Sequence, residues 1–202
     1  MVKVIGLCGG SGSGKGTVCA VLLERGIPTI DTDAVYRELT ASDSECMHEL
    51  VAEFGEGVAF GDGSLNRPLL RDIVFSGDGA SQRLSRLNEI THRHILGEAR
   101  RRIAEYARGG TAAVTVDAPV LYESGFDREC DAVVAVLADR EVRIQRIVAR
   151  DGISREAAQR RIDSQISDEE LRRRADYIIV NDGDESILRE RAMAVAEEIL
   201  NL

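Results

Sequence analysis

Residues 9–17 read Gly9-Gly10-Ser11-Gly12-Ser13-Gly14-Lys15-Gly16-Thr17 and directly follow the apolar run Val2–Cys8. Glycine residues allow successive backbone N–H groups to converge on phosphate oxygens without obstruction by Cβ atoms. The helix predicted to begin at Lys15 adds unpaired N–H groups and the positive end of its dipole, and the lysine adds a charge that can reach terminal phosphates. A flexible Gly/Ser turn is the alternative. The preceding strand and the following apolar helix favour a phosphate-binding loop for a nucleoside triphosphate, formed by residues 10–17.

The position after the lysine departs from the usual pattern of such loops. Ser or Thr normally stands there, whereas this chain has Gly16, and the hydroxyl is displaced to Thr17. Thr17 is therefore a weaker candidate for a Mg²⁺ ligand, and we expect phosphates and water to hold much of the metal. Nucleotide kinases of the adenylate kinase type also carry Gly-Lys-Gly-Thr, so the departure resembles a known variant.

Composition and charge argue against several classes of protein. The 202 residues include 26 basic and 35 acidic ones, and the net charge of −9 argues against broad binding to nucleic acid or anionic membranes. No apolar stretch approaches the length of a membrane span, and the first residues lack a signal-peptide pattern. The four cysteines form no Cys-x-x-Cys pair, which favours buried thiols in a reducing compartment over a zinc site. We expect a cytoplasmic protein, monomeric or weakly homo-oligomeric, with neither a nucleic-acid nor a membrane partner.

Five apolar segments rich in β-branched residues are predicted as strands: 2–8, 28–31, 112–117, 131–137 and 177–180. Several of them are continuous hydrophobic runs, a pattern that suits strands covered on both faces. Helical patterns separate them. This alternation predicts an α/β fold with a five-stranded parallel sheet flanked by helices.

One long interval, 41–110, contains helical patterns and no convincing strand. Ser44–Phe54 is amphipathic, Pro68 stands where a helix can begin, and a long helical stretch covers 81–108. We interpret the interval as a helical substrate-binding insertion. An elaborate crossover connection is the alternative.

A second interval, 140–175, is rich in arginine. Within it, Ser167-Asp168-Glu169-Glu170 fits a capping box, which predicts that a new helix starts there. Arg143, Arg146 and Arg150 fall on one side of its first helix, with Arg140 at the edge of that arc. For any one of them, an exposed helix face balanced by acidic neighbours is favoured. For the group, we favour a helical lid whose guanidinium groups neutralise phosphates and whose closure excludes water. The predicted nucleotide-binding core then comprises 1–40, 111–139 and 176–202.

Carboxylates follow two of the predicted strands, at the edge where an open α/β sheet binds its ligands. Alternation places Asp31 and Asp33 on one face if the second strand extends that far. Asp33 is read equally well as a proton acceptor from an attacking hydroxyl or as the N-cap of a helix beginning at Ala34. Arg37 can bind a substrate anion, although pairing with Asp33 is favoured. Asp117 ends the third strand, where it can contact Mg²⁺, directly or through water, or form a turn.

Taken together, these motifs resemble the dephospho-CoA kinase family over essentially the whole chain. The phosphate loop alone is shared by many nucleotide-binding proteins, but its combination with the other motifs is much more specific. The matching segments besides the loop are Ile30–Ala34 with Arg37, Asp62–Leu65, Leu70-Arg71 with Val74-Phe75, Leu87-Asn88 with Thr91-His92, Asp117–Gly125, Arg150–Gly152, Ala175–Ile179 and Asn181–Gly183.

The resemblance implies ATP-dependent phosphorylation of the ribose 3′-hydroxyl of dephospho-CoA, the last step of coenzyme A synthesis, with Mg²⁺ as the metal. It also implies a P-loop core like that of the nucleoside monophosphate kinases. In this reading Asp33 is the catalytic base, Lys15 bridges phosphates, and Arg140 contacts phosphates. Arg146 binds ATP, and the region of Asn181 lies near the adenine.

On the acceptor side, the resemblance makes Asp33, Arg37, His92 and Asp117 candidate substrate-binding residues. The family usually has Pro after the histidine, where this chain has Arg93. Three alternatives stay open: a kinase for another small molecule, a regulatory nucleotide switch and, ranked last, an inactive P-loop binding module. The chain lacks the Asn-Lys-x-Asp signature for guanine, which disfavours the switch.

Overall fold

The computed structural model describes residues 2–201, and its centre is a parallel sheet of five strands. The strands lie in the order β2-β3-β1-β4-β5, so β1 is central and β2 and β5 are edges. Their bounds are β1 Lys3–Cys8, β2 Thr29–Asp31, β3 Ala113–Asp117, β4 Ala132–Leu137 and β5 Tyr177–Val180. All five predicted strands are present within two residues of the expected bounds, and the α/β class is confirmed.

Nine α-helices accompany the strands within residues 2–201. They are α1 Lys15–Glu24, α2 Thr32–Leu39, α3 Glu45–Phe54, α4 Arg67–Phe75, α5 Ala80–Arg108, α6 Arg140–Asp151, α7 Arg155–Asp163, α8 Asp168–Arg174 and α9 Glu185–Asn201. Short 3-10 turns at Glu56–Val58 and Phe126–Glu129 complete the regular structure. No helix of this described part is both long and apolar enough to cross a membrane.

The chain divides into two compact units. The first comprises the described parts of Met1–Ile30 and Ile103–Leu202 and holds most of the sheet. Its core is built by continuous apolar strands with both faces covered, as the sequence pattern requires. In β4 all six side chains are buried. This packing fixes the carboxyl ends of β1, β3 and β4, from which the loops of the site emerge.

The second unit, Asp31–Arg102, contains α2 to α4 and most of α5. Its own core includes Met47, Leu50, Val74 and Ile90. Ser44 caps α3, and Pro68 lies in the first turn of α4, where the sequence predicts a helix start.

The junction after β2 differs from the sequence-based expectation. The strand ends at Asp31 and α2 begins at Thr32, so Asp33 does not continue the strand. Asp31 is the N-cap, because its Oδ1 accepts the N–H groups of Asp33 at 2.9 Å and Ala34 at 3.1 Å. The capping alternative for Asp33 is therefore wrong. Asp33 lies in the first turn of α2 with its side chain exposed.

Candidate active site

The phosphate-binding loop connects β1 to α1 and owes its shape to glycine. Gly9, Gly12 and Gly14 have φ of 142°, 78° and 103°, in the left-handed region that other residues rarely adopt. Gly14 is also the residue before α1, where it supplies no side-chain cap. The first turn of α1 therefore presents its N–H groups and its positive dipole end without a competing side chain, as an anion site requires.

The carbonyl groups of residues 11–13 are each held by a side chain from another part of the chain. The donors, in order, are Arg143 Nε at 3.0 Å, Arg146 Nη1 at 3.2 Å and Asn181 Nδ2 at 2.7 Å. A trans peptide points its C=O and N–H in opposite directions. Because the carbonyls face protein donors, the N–H groups of Gly12 and Gly14 turn the other way, which is the orientation needed to bind phosphate oxygens.

Lys15 reaches back across the loop. Its Nζ donates to the Gly9 carbonyl at 3.0 Å and lies 3.8 Å from Asp117 Oδ1. Both side chains are largely buried, with 16% and 21% of their surface exposed. The structure thus brings together two of the residues selected from the sequence, a phosphate-binding cation and a carboxylate at the end of β3. Nearby, burial raises the pKa of the Cys8 thiol to about 12, so this cysteine stays a neutral thiol.

A pocket of about 250 Å³ adjoins the start of α1. It is lined by Gly14, Thr17, Arg146, Asn181, Gly183, Glu185 and Leu188. Its lining joins the end of the phosphate loop to the segment after β5, so a ligand whose phosphates bind the loop can place its base here. The pocket contains four of the residues that the sequence selected for nucleotide binding: Gly14, Thr17, Arg146 and Asn181.

The arginines of α6 separate into two groups. Arg143 is 4% exposed, so the exposed-face alternative is wrong for this residue. Arg140 is half exposed and forms a 2.7 Å ion pair with Asp163, and Arg150 pairs with its neighbour Asp151. Burial lowers the pKa of the Arg143 guanidinium, which stays charged because arginine titrates far above neutrality.

Three of the candidate acceptor-side residues, Asp33, Arg37 and His92, lie in the second unit, whereas Asp117 lies in the first. Arg37 forms an exposed 3.6 Å ion pair with Asp31, and Asp33 is exposed four residues earlier on the same helix. His92 is half-buried within α5. The helix passes without interruption through Arg93, which pairs with Glu49. A proline at this position would remove one helical hydrogen bond, so the substitution is compatible with the long helix.

The donor set near the loop suits a magnesium ion bound mainly through phosphates. No group of three His, Cys, Asp or Glu side chains within residues 2–201 could hold a metal alone. Mg²⁺ in kinases typically takes one or two carboxylates together with phosphate oxygens and water. Asp117 beside Lys15 and the hydroxyl of Thr17 meet that modest requirement.

Sequence reasoning missed two residues of this network, one that contacts the loop and one that contacts Arg143. Gln165, in the turn after α7, accepts the Ser11 N–H at 3.0 Å, and Asp168 at the start of α8 pairs with Arg143 at 3.1 Å. The capping box at Ser167 correctly predicts where α8 begins, since its hydroxyl accepts the Glu170 N–H. A single glutamine or aspartate carries no local signal of a partner that lies far along the chain, here 154 residues away for Gln165 and 25 for Asp168.

The fold and this loop define the class of protein. A parallel sheet in the order 2-3-1-4-5, with a Gly-rich loop between the central strand and α1, is that of a P-loop kinase.

Comparisons with known proteins define the family more narrowly. The family model described as dephospho-CoA kinase matches residues 3–186. The dephospho-CoA kinase of Symbiobacterium thermophilum is 43% identical over 96% of this chain and 80% of its own length. That of Corynebacterium efficiens is 41% identical over 97% and 96%. A crystal structure of a Thermus thermophilus protein superposes with a TM-score of 0.80 at 33% identity, covering 98% of each chain. The chain belongs to the dephospho-CoA kinase family.

Proposed function

We propose that this chain transfers the γ-phosphoryl group of ATP to the ribose 3′-hydroxyl of dephospho-CoA, giving coenzyme A and ADP. Family membership supports the substrate. The observation that carries the reaction class is the phosphate loop, whose carbonyls are held by protein donors while its N–H groups are turned toward the anion site. Such a loop binds a polyphosphate and stabilises the charge that develops during transfer.

On the nucleotide side, residues 10–17 bind the phosphates and Lys15 bridges them. This requires the Lys15 ammonium to leave the Gly9 carbonyl, to which it donates in the structure. The adenine enters the pocket beside α1, where Arg146 and Asn181 line the wall. Arg140 adds charge to the phosphates once its exposed pair with Asp163 opens, which costs little because such surface pairs contribute about 0–1 kcal/mol.

On the acceptor side, Asp33 orients the 3′-hydroxyl and accepts its proton as the new O–P bond forms and the bond to the ADP oxygen breaks. Asp33 lies exposed in the first turn of α2, where a substrate hydroxyl can approach it. Arg37 and His92 bind polar groups of dephospho-CoA. No covalent enzyme intermediate is required, since positioning and charge neutralisation account for catalysis.

Mg²⁺ is part of this proposal, with Asp117 and Thr17 as the residues that would hold it. When bound, the ion neutralises phosphate charge in the transferred group. The 3.8 Å separation of Lys15 and Asp117 keeps a cation and a carboxylate together beside the loop.

The test is a measurement of ADP release with ATP and one of three acceptors: dephospho-CoA, a nucleoside monophosphate or shikimate. Turnover with dephospho-CoA alone, and a product identified as coenzyme A by mass spectrometry, is the expected result. Lys15→Met should lower this turnover by about 10²–10³-fold, because a donor to the transition state is lost. Lys3→Met is the matched control, since Lys3 instead donates to the Ile199 carbonyl of α9. Turnover of shikimate or a nucleoside monophosphate in preference to dephospho-CoA would refute the assignment.

A further inference from the structure

Ser11 of the phosphate loop is held through three of its polar atoms by two residues of the segment 140–175. Its carbonyl accepts from Arg143 Nε at 3.0 Å, its N–H donates to Gln165 Oε1 at 3.0 Å, and its hydroxyl accepts from Gln165 Nε2 at 3.1 Å. Gln165 Oε1 also accepts from Arg143 Nη2 at 3.0 Å. Ser11, Arg143 and Gln165 therefore form one closed hydrogen-bonded network, which we name the Ser11 clamp.

Arg143 uses its guanidinium for the clamp. Its three nitrogens donate to Ser11, Gln165 and Asp168, and only 4% of the residue is exposed. Asp168, whose side chain is 41% exposed, neutralises the buried charge at 3.1 Å. The planar guanidinium has fixed N–H directions and can donate to three acceptors at once. A lysine ammonium could not match this geometry.

Gln165 and Asp168, which bind Arg143, lie next to or within α8, and this helix is itself anchored. Leu171 of α8 is fully buried. At the end of α8, the Arg174 guanidinium stacks 3.8 Å from the ring centroid of Tyr122 and pairs with Asp127 at 3.3 Å. Asp168 at the other end pairs with Arg143. Because both ends of α8 bind other elements of the first unit, Asp168 and the preceding Gln165 belong to an anchored segment.

The glycines of the loop are fitted around Arg143. A Cβ at Gly10 would overlap its guanidinium, and a Cβ at Gly12 would lie 2.8 Å from its backbone carbonyl. The backbone of the loop and the side chain of Arg143 thus occupy adjoining space with no room for another side chain.

We propose that Arg143 and Gln165 are positioning residues for nucleotide binding, acting through Ser11. The Arg143 bond to the Ser11 carbonyl fixes the plane of the Ser11–Gly12 peptide, which sets the direction of the Gly12 N–H toward the phosphates. Gln165 holds the preceding Gly10–Ser11 peptide through the Ser11 N–H and also accepts from Arg143, so it supports the same arrangement. Neither side chain needs to touch the nucleotide. This inference rests on the proposed function, because it assigns the clamp to the same phosphate site.

The primary variant is Gln165→Ala, which removes both bonds to Ser11 but keeps the pair between Arg143 and Asp168. Gln145→Ala is the matched control, since Gln145 is an exposed residue of α6 that bonds only weakly to Glu141 at 3.4 Å. Gln165→Ala should raise the KM for ATP about five- to tenfold while kcat and the KM for dephospho-CoA change less, and Gln145→Ala should change none of them. Equal KM values for ATP in the two variants would overturn the proposal.

A double-mutant cycle tests whether the two residues act together through Ser11. Arg143→Met, Gln165→Ala and the double variant should give a combined increase in KM that is smaller than the product of the single increases. A fully multiplicative effect would mean independent roles and would contradict the clamp. Thermal unfolding of each variant identifies any that fails to fold, and Gln165→Ala then carries the test alone.

Two further measurements do not depend on turnover. Titration with a non-hydrolysable ATP analogue should show the same five- to tenfold loss of affinity in Gln165→Ala. Hydrogen exchange of the Ser11 amide should be faster in this variant, because its N–H loses its acceptor. If dephospho-CoA proves not to be the acceptor, these readouts still decide the clamp. Unchanged affinity with unchanged exchange would overturn it even if the kinase assignment holds.

Discussion

The phosphate loop and the second unit handle their polar groups in opposite ways. In the loop, the carbonyls of residues 11–13 are held by side chains from distant segments, and two of the donors, Arg143 and Asn181, are buried. In the second unit, the charged residues lie mainly on the surface and pair with one another. Examples are Asp31 with Arg37 and Arg93 with Glu49.

This difference separates the residues that hold the geometry of the site from the exposed residues that are proposed to carry its chemistry. A buried polar group that loses its partner costs about 1–3 kcal/mol, so the loop network fixes one conformation. An exposed ion pair contributes about 0–1 kcal/mol, so surface side chains can exchange partners with little loss of stability. Changes in the loop network should therefore alter the stability of the protein, whereas a change at the exposed Asp33 should alter turnover alone.

The largest effect is expected at Asp33. Asp33→Asn should lower turnover by about 10²–10⁴-fold, because an amide cannot accept the proton of the 3′-hydroxyl. The unfolding midpoint should stay the same, since the side chain is exposed and Asp31 supplies the helix cap. Steady-state rates and chemical denaturation of the same preparation check both parts.

Asp31→Asn is the matched control for this position. Asparagine caps helices about as well as aspartate, so α2 should be retained. This variant should keep most of its turnover, because Asp31 is not the proposed base. If Asp33→Asn turns over at a near-normal rate, or if both variants are equally impaired, Asp33 is not the proton acceptor.

The sequence was sufficient for the elements that depend on local patterns. Continuous apolar runs gave five parallel strands, and Gly14 before Lys15 gave the loop, because strand burial and phosphate binding each impose a short-range pattern. The capping box at Ser167 gave the start of α8. Each of these signals lies within a few residues.

The clamp could not be predicted in this way. Helical spacing groups Arg143 with its exposed neighbours, because the spacing specifies a face of α6 but not what covers that face. Its burial depends on Ser11, 132 residues earlier, and on Gln165 in a separate turn. The sequence offers Asp33 as a possible N-cap of the helix, whereas the structure has Asp31, and this difference has a related cause. Both residues suit the N-cap, and pairing of β2 in the sheet decides where the strand ends.

Asn181 tests the other half of the comparison, the buried hydrogen-bond network of the phosphate loop. Asn181→Ala leaves the Ser13 carbonyl without its 2.7 Å donor and should lower the free energy of unfolding by about 1–3 kcal/mol. Arg37→Ala, the control from the exposed set, should cost less than about 1 kcal/mol. Urea denaturation measures both values. Were Asn181 to act on the adenine alone, its replacement would raise the KM for ATP with no change in stability.

The smallest effect is expected at Glu98 in the second unit, where pH distinguishes the two kinds of interaction. Hydrogen bonds from Arg101 and then Arg102 lower the pKa of Glu98 to about 2, against the opposing effect of partial burial. Because the folded pKa lies below the unfolded value of about 4.3, the carboxylate stabilises the protein above that value. This contribution is lost as the pH falls from about 4.3 through about 2.

Glu98→Gln should therefore be less stable than the unmodified protein near neutrality, by about 1 kcal/mol or less because both arginine partners are partly exposed to solvent. The difference should shrink below pH 4 and vanish near pH 2, as measured by urea denaturation across that range. Asn181→Ala is the internal reference, since its amide does not titrate and its cost should show no such trend. If Glu98→Gln were less stable by the same amount at every pH, Glu98 would stabilise α5 by packing. The contrast between a loop network that does not titrate and ion pairs that do would then not extend to this helix.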